Sequence, residues 1–143
     1  MTPPTVMTNA EIGVRDWLKA QPAVAAAVGN RIFLGVPPEL ARAGEGGYPL
    51  IGIHRLYSLV ERYLPVDVAV LQLDCWGPMK SQRSAYTAAS AAAAALWSLT
   101  PNTPLGADMV AKGVTDITSQ WFPDPISDRP RYIVTATVLV VAT

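Results

Sequence analysis

Residues 66–99 read VDVAVLQLDCWGPMKSQRSAYTAASAAAAALWSL and decide the fold, because they place a strand directly before a long helix. In residues 66–76 apolar side chains recur at alternate positions, as on the buried face of a strand. Gly77 and Pro78 end that strand. Eight of the next residues are alanines, and alanine is the strongest helix former. The sequence therefore predicts a helix that ends near Leu99.

The segment before this strand predicts its sheet partner. Residues 50–59 alternate in the same way, and the connection to residue 66 is too short for a parallel crossover. The two strands are therefore expected to form an antiparallel hairpin. Farther upstream, residues 10–19 and 23–28 predict two short helices, and residues 31–36 predict a short strand.

Two more strands are predicted after the long helix, in residues 108–122 and 131–142, with a proline-rich turn between them. Strands that come in pairs, with helices between the pairs, are typical of an α+β fold. We expect an antiparallel sheet of about four strands, packed against an N-terminal helix and the long alanine-rich helix. A length of 143 residues fits one domain over residues 1–143, with a flexible arm at 1–7 and a long loop at 37–49.

The charge content is low for a protein of this size. Only 15% of the residues are charged, against about 25% in typical domains, and 11 basic residues balance 11 acidic ones. A net charge of zero argues against a dedicated nucleic-acid binder. No apolar run is long enough to span a membrane and no signal peptide is recognisable, so we expect a soluble cytoplasmic product without membrane contact. A surface covered by partner subunits then explains the low charge.

The last predicted strand is the clearest candidate for such a contact. One of its faces carries Tyr132 and four small apolar residues, and the other face carries only aliphatic residues and threonines. An antiparallel sheet covered by helices on one side usually shows a polar second face to water. We therefore expect Ile133, Leu139 and Val141 to contact a neighbouring subunit.

The tip of the predicted hairpin is a second candidate for partner binding. A hairpin tip exposed to water should be polar, but this one is mainly apolar. The alternative interpretation is an ordinary solvated tip. The candidate partner-binding residues at the tip are Leu59, Val60, Arg62, Tyr63 and Leu64.

The sequence offers little for catalysis. His54 is the single histidine and Cys75 the single cysteine, so no metal site can be built from clusters of these residues. No phosphate-binding loop or nucleophile elbow is present. We therefore predict no catalytic residues, no metal and no cofactor. The alternative is a small enzyme or ligand-binding domain in which His54 activates Cys75 across the paired strands.

Several short motifs resemble a known family. Residues 23–33 read AVAAAVGNRIF and are followed by Gly35-Val36-Pro37, then by Tyr48-Pro49-Leu50-Ile51. A strand ending LQLDCW at residues 71–76 and a helix beginning Arg83-Ser84-Ala85 complete the pattern. Over residues 10–99 the sequence resembles the tail-terminator, or tail-completion, proteins of long-tailed bacteriophages.

This resemblance implies a structural virion protein without enzymatic activity. Tail terminators form a six-membered ring on the head-proximal end of the tail tube, where they end tube polymerisation and dock the tail to the head. The implied partners are further copies of the chain, the tail tube protein, the head–tail connector or stopper protein and the tape measure protein. Genome DNA passes through the ring without sequence-specific binding. The implied location is the virion tail, after assembly in the host cytoplasm.

Three other interpretations stay open at this point. The first is a different head–tail connector component, such as an adaptor or stopper. The second is the small enzyme or ligand-binding domain that uses His54 and Cys75. The third is a cellular homodimer with no role in a phage.

Overall fold

Three helices form in the part of the chain that the computed structural model describes, which is residues 8–35, 44–60 and 65–143. They are α1 (Ala10–Lys19), α2 (Pro22–Val28) and α3 (Gln82–Trp97). Ser81 caps α3, because its hydroxyl oxygen accepts a 3.2 Å hydrogen bond from the Ser84 amide. Pro101 and Pro104 follow α3 and prevent its continuation.

The strands form one sheet in the order β1-β2-β3-β6-β5-β4. Neighbouring strands run antiparallel except β1 and β2, which run parallel. The strands are β1 (Ile32–Phe33), β2 (Leu50–Val60), β3 (Asp67–Trp76), β4 (Thr103–Pro104), β5 (Met109–Trp121) and β6 (Arg131–Ala142).

The predicted α+β class is confirmed, and the expected count of about four strands is roughly consistent with the sheet but not exact, because the sheet has six. The four long strands are the predicted ones, and two strands of two residues each extend the sheet at its edges. β1 is much shorter than the predicted strand 31–36, and β4 was not predicted at all. The reason is physical: two residues are too few to show any alternation of apolar and polar side chains. Only the pairing of Thr103 and Pro104 with β5 makes β4 a strand.

Two other predicted features fall mainly outside the described residues. The flexible arm at 1–7 lies outside them, as do residues 36–43, which include most of the predicted loop. The last part of that loop is described, and Gly44–Gly47 form a short 3-10 helix there.

α1 and α3 pack on one face of the sheet, which we call the inner face, and α2 packs against α3. The inner-facing residues of β6 are Val134, Ala136, Val138 and Val140, and each is at most 1% exposed. The side of α3 that packs on the sheet consists of small side chains and Leu96, so its backbone comes close to the strands. The buried residues of α3 are Ala85, Ala88, Ala89, Ala92 and Leu96.

Gly77 makes the tight turn from β3 into α3 possible. A Cβ atom at this position would lie 2.7 Å from the Ser81 carbonyl oxygen and 3.0 Å from the Ala85 nitrogen. Both atoms belong to the backbone and cannot move aside cheaply, so the turn requires glycine.

Candidate assembly surface

The opposite face of the sheet, which we call the outer face, is not covered by any helix in the described ranges. Its side chains come from alternate positions of the four long strands, and the strand register fixes which of them are neighbours. Leu59 lies opposite Val68, and Val68 in turn lies opposite Leu139. On the far side of Leu139 the neighbour is Gly113 of β5.

One half of the outer face is apolar. Tyr57 and Leu59 of β2 are 55% and 54% exposed, and the other members are half-buried by their neighbours alone. We call this surface the apolar half; it consists of Tyr57, Leu59, Val68, Val110, Leu139 and Val141. Large aliphatic and aromatic groups left together in water are typical of a protein contact.

The other half of the outer face is polar. Gln72 donates a 2.9 Å hydrogen bond to Asp74, and the hydroxyls of Thr118 and Thr135 are hydrogen-bonded across β5 and β6. His54 lies 3.8 Å from the Asp74 carboxylate. The hydrogen bonds among Gln72, Asp74, Thr118 and Thr135 make this half compatible with solvent.

The structure brings some of the predicted contact residues together and separates others. Leu59, Leu139 and Val141 lie in the apolar half. Ile133 lies in the polar half, between Asp74 and Gln120, and six residues of strand place it about 20 Å from Leu139.

The predicted contact residues of the hairpin tip are mostly not described. Arg62, Tyr63 and Leu64 lie outside the described residues. For Val60 only the backbone, as the last residue of β2, is described.

Sequence reasoning missed three members of the apolar half: Tyr57, Val68 and Val110. Val68 could have been found, because its alternation with buried Ala69 puts it on the outer face. Tyr57 could not, because a β-bulge between Arg55 and Tyr57 shifts the alternation of β2 by one residue.

A buried ion cluster fixes the base of the hairpin to the start of α1. The Arg55 Nη1 atom lies 3.0 Å from both carboxylate oxygens of Asp67, and its Nε donates to Glu11 at 2.7 Å. Asp67 also accepts hydrogen bonds from the amide and hydroxyl of Thr8, both at 2.9 Å. The Asp67 side chain is only 1% exposed, so these partners replace the water that the carboxylate has lost.

The structure does not support a catalytic pair of His54 and Cys75. His54 lies on the outer face and Cys75 on the inner face, where Cys75 is fully buried. Burial raises the pKa of the Cys75 thiol far above its ordinary value, and the nearby Asp74 carboxylate adds to the effect. A thiol that stays protonated is not a nucleophile.

The groove beside the ion cluster and the acidic side chains of the described residues show no arrangement for catalysis either. A groove of about 490 Å³ beside the ion cluster is bordered by Arg55 and Glu11, which already bind each other. In residues 8–35, 44–60 and 65–143, no three histidine, cysteine, aspartate or glutamate side chains converge as a metal site requires. Among the described helices, none has the length and hydropathy needed to cross a lipid bilayer.

Comparison with known proteins agrees with a structural protein rather than an enzyme. The family model described as tail completion protein gp17 matches residues 13–125, which is most of the chain. Among solved structures, the chain resembles one from the "Virion of native gene transfer agent (GTA) particle". The TM-score is 0.55 at 17% identity, and the match covers 93% of this chain and 94% of that chain, which shows a shared fold. A comparison with curated proteins finds no match.

The family match agrees with a structural role and gives no support to the enzyme interpretation. The chain belongs to the tail completion protein gp17 family, whose members are structural components of phage virions and not enzymes.

Proposed function

We propose that this chain is the tail terminator of a phage-like particle. In this proposal six copies form a ring on the head-proximal end of the tail tube, end tube polymerisation and dock the tail to the head connector or stopper protein. DNA passes through the lumen without sequence-specific contacts. The ring also meets the tail tube protein and the tape measure protein, and it assembles in the host cytoplasm.

One observation carries the ring: the apolar half of the outer face is exposed in the isolated subunit. Tyr57 and Leu59 are each more than half exposed, although burying a side chain of this size stabilises a protein by about 1.5–3 kcal/mol. A closed ring is an assembly in which each subunit uses two different patches. The apolar half supplies one such patch, and the hairpin tip with Val60, Arg62, Tyr63 and Leu64 extends it in this proposal.

The neutral composition supports the passage of DNA. Affinity for DNA comes largely from contacts between basic side chains and phosphates. A chain with 11 basic and 11 acidic residues has no overall excess of positive charge that would hold a moving duplex.

The variant Leu139→Asp tests whether the apolar half is an interface between subunits. Leu139 is at the centre of the apolar half but outside the core, so the charged side chain should leave the fold intact and prevent ring formation. Thr118→Asp is the matched control, because it places the same charge on the polar half of the same face. Native mass spectrometry gives the assembly state, and thermal unfolding followed by circular dichroism gives the fold.

The two variants should separate clearly. We expect Thr118→Asp to assemble like the wild type and Leu139→Asp to stay monomeric with an unchanged unfolding transition. A Leu139→Asp protein that forms normal rings would remove the apolar half from the subunit interface. A binding measurement on the wild-type chain separates the alternatives. Wild-type rings that bind emptied heads but never tail tubes would identify an adaptor or stopper instead.

A further inference from the structure

The exposed side of α3 carries almost no charge. Residues 84–107 contain no charged side chain, although a surface helix normally shows charged and polar groups to water. Instead, Trp97 is 82% exposed and Tyr86 is 56% exposed, with Ser90 and Ala93 between them. Spacings of three and four residues place these four side chains in one row along α3. Tryptophan is largely buried on average, so a tryptophan left this far in water indicates a contact.

This row borders a part of the inner face that is only partly covered in the described ranges. The Tyr86 ring lies 5.6 Å from the ring of Tyr132, which lies 5.2 Å from the ring of Trp121. Trp121 is opposite Tyr132 in the strand register, so both lie on the inner face. Ile117 of β5 packs against the core but is only half-buried. The row on α3 and the inner side of β5 therefore form one open surface.

We call this surface the α3–β5 surface; it consists of Tyr86, Ser90, Ala93, Trp97, Ile117 and Trp121. It lies on the helical side of the sheet, so the sheet separates it from the apolar half. Its three large rings alone leave roughly 350 Å² in water, since a buried aromatic side chain covers about 150–250 Å². That area is close to half of the about 800 Å² that each partner contributes to a stable interface.

The lack of charge fits this surface to an apolar partner. A surface that covers Leu59 and Leu139 of a neighbour also loses its own water, and an unpaired charge would then be costly. The six side chains of the α3–β5 surface carry no charge. Several other exposed apolar side chains lie beside charged residues, namely Ile12 next to Glu11, Met79 next to Lys80, and Ile126 between Asp124 and Asp128.

We propose that the α3–β5 surface is the second subunit interface of the ring and binds the apolar half of the next copy of this chain. Each subunit places Tyr57, Leu59 and Leu139 against the α3–β5 surface of one neighbour. Its own α3–β5 surface receives the apolar half of the other neighbour. This inference rests on the proposed ring, to which it adds the patch that completes each contact between subunits.

The arrangement of the two surfaces favours a second copy over other occupants. In a closed ring each contact joins two different patches of the subunit. The apolar half and the α3–β5 surface can serve as these patches, because they lie on opposite sides of the sheet. Contact of the α3–β5 surface with itself would give a two-fold dimer and leave the apolar half in water. A tail tube protein bound there would leave the apolar half uncovered in the same way.

Two variants with complementary defects test the proposal. Trp97→Glu places a charge on the α3–β5 surface and leaves the apolar half intact, whereas Leu139→Asp does the reverse. Because Trp97 is 82% exposed, its replacement should retain the fold, which thermal unfolding followed by circular dichroism checks. Thr87→Glu is the matched control, because Thr87 is exposed on the same helix but outside the row. Native mass spectrometry measures each protein alone and the two variants mixed in equal amounts, with one of them isotopically labelled.

We expect Thr87→Glu to form rings like the wild type, and Trp97→Glu and Leu139→Asp each to stay monomeric when alone. The mixture should contain a dimer with one subunit of each variant. In this dimer the intact α3–β5 surface of the Leu139→Asp subunit binds the intact apolar half of the Trp97→Glu subunit. Any further contact would join the two mutated surfaces, whose negative charges repel each other, so growth stops at the dimer.

Normal rings of Trp97→Glu would overturn the inference, and if those rings no longer bound purified tail tubes, the surface would belong to the tube contact instead. Failure of the two monomeric variants to form the mixed dimer would show that the two surfaces do not bind each other. Absence of a six-subunit species in the wild type contradicts the proposed function itself and is seen before any variants are mixed.

Discussion

At the residue scale, Arg55 shows how a charge can occupy a core-facing position. The alternation of β2 assigns it to the inner face with Ile51 and Ile53, where a charge alone would be costly. The structure resolves the conflict with Asp67 and Glu11, which surround the guanidinium. Glu11 and Asp67 lie 44 and 12 positions from Arg55 in the sequence, so neither partner can be deduced from the local sequence. A charge on an otherwise apolar face indicates only that some partner exists.

Removing this arginine should be among the most destabilising changes in the chain. Arg55→Met leaves the buried Asp67 carboxylate without its cation, so we expect the free energy of unfolding to fall by about 3–5 kcal/mol. Urea denaturation measures it. Arg15→Met is the control, because Arg15 pairs with Asp16 at the surface and should cost no more than about 1 kcal/mol. Similar losses for the two variants would show that the cluster contributes little.

At the scale of elements, long segments with a strong pattern were predictable and short ones were not. α3 and the four long strands follow from alanine content and from alternation. The packing of α1 shows this limit: the large apolar side chain of Ile12 is 38% exposed, while the small residue Ala10 is buried together with Val14 and Leu18. Ala10 and Gly13 have little or no side chain and are buried, so α1 can pack closely on its neighbours. A hydrophobicity pattern alone does not reveal such a contact.

Because α3 packs closely on the sheet, a larger side chain on its buried face should destabilise the protein. Ala92 is fully buried, so Ala92→Leu forces extra volume between α3 and the sheet and should cost about 1–3 kcal/mol. Ala94 is exposed on the same helix, and Ala94→Leu should change the stability little. Thermal unfolding of the two variants measures the difference. Equal midpoints would show that the helix does not lie as close to the sheet as described.

At the scale of the whole molecule, the low charge content can be assigned in part to a particular surface, the outer face of the sheet. The outer face divides into a polar half, whose side chains are hydrogen-bonded to one another, and an apolar half, whose side chains are left in water. Sequence alternation identified Leu139 and Val141 as contact candidates, but it could not separate them from Ile133. That separation depends on which strands are neighbours, and the strand order is a property of the complete fold.

The most direct test of the central claim is the native mass of the wild-type chain, measured alone and with purified tail tubes present. We expect a discrete species of six times the 15.2 kDa subunit mass, either free or released from capped tubes. A chain that stays monomeric at high concentration and also fails to join tail tubes would contradict it.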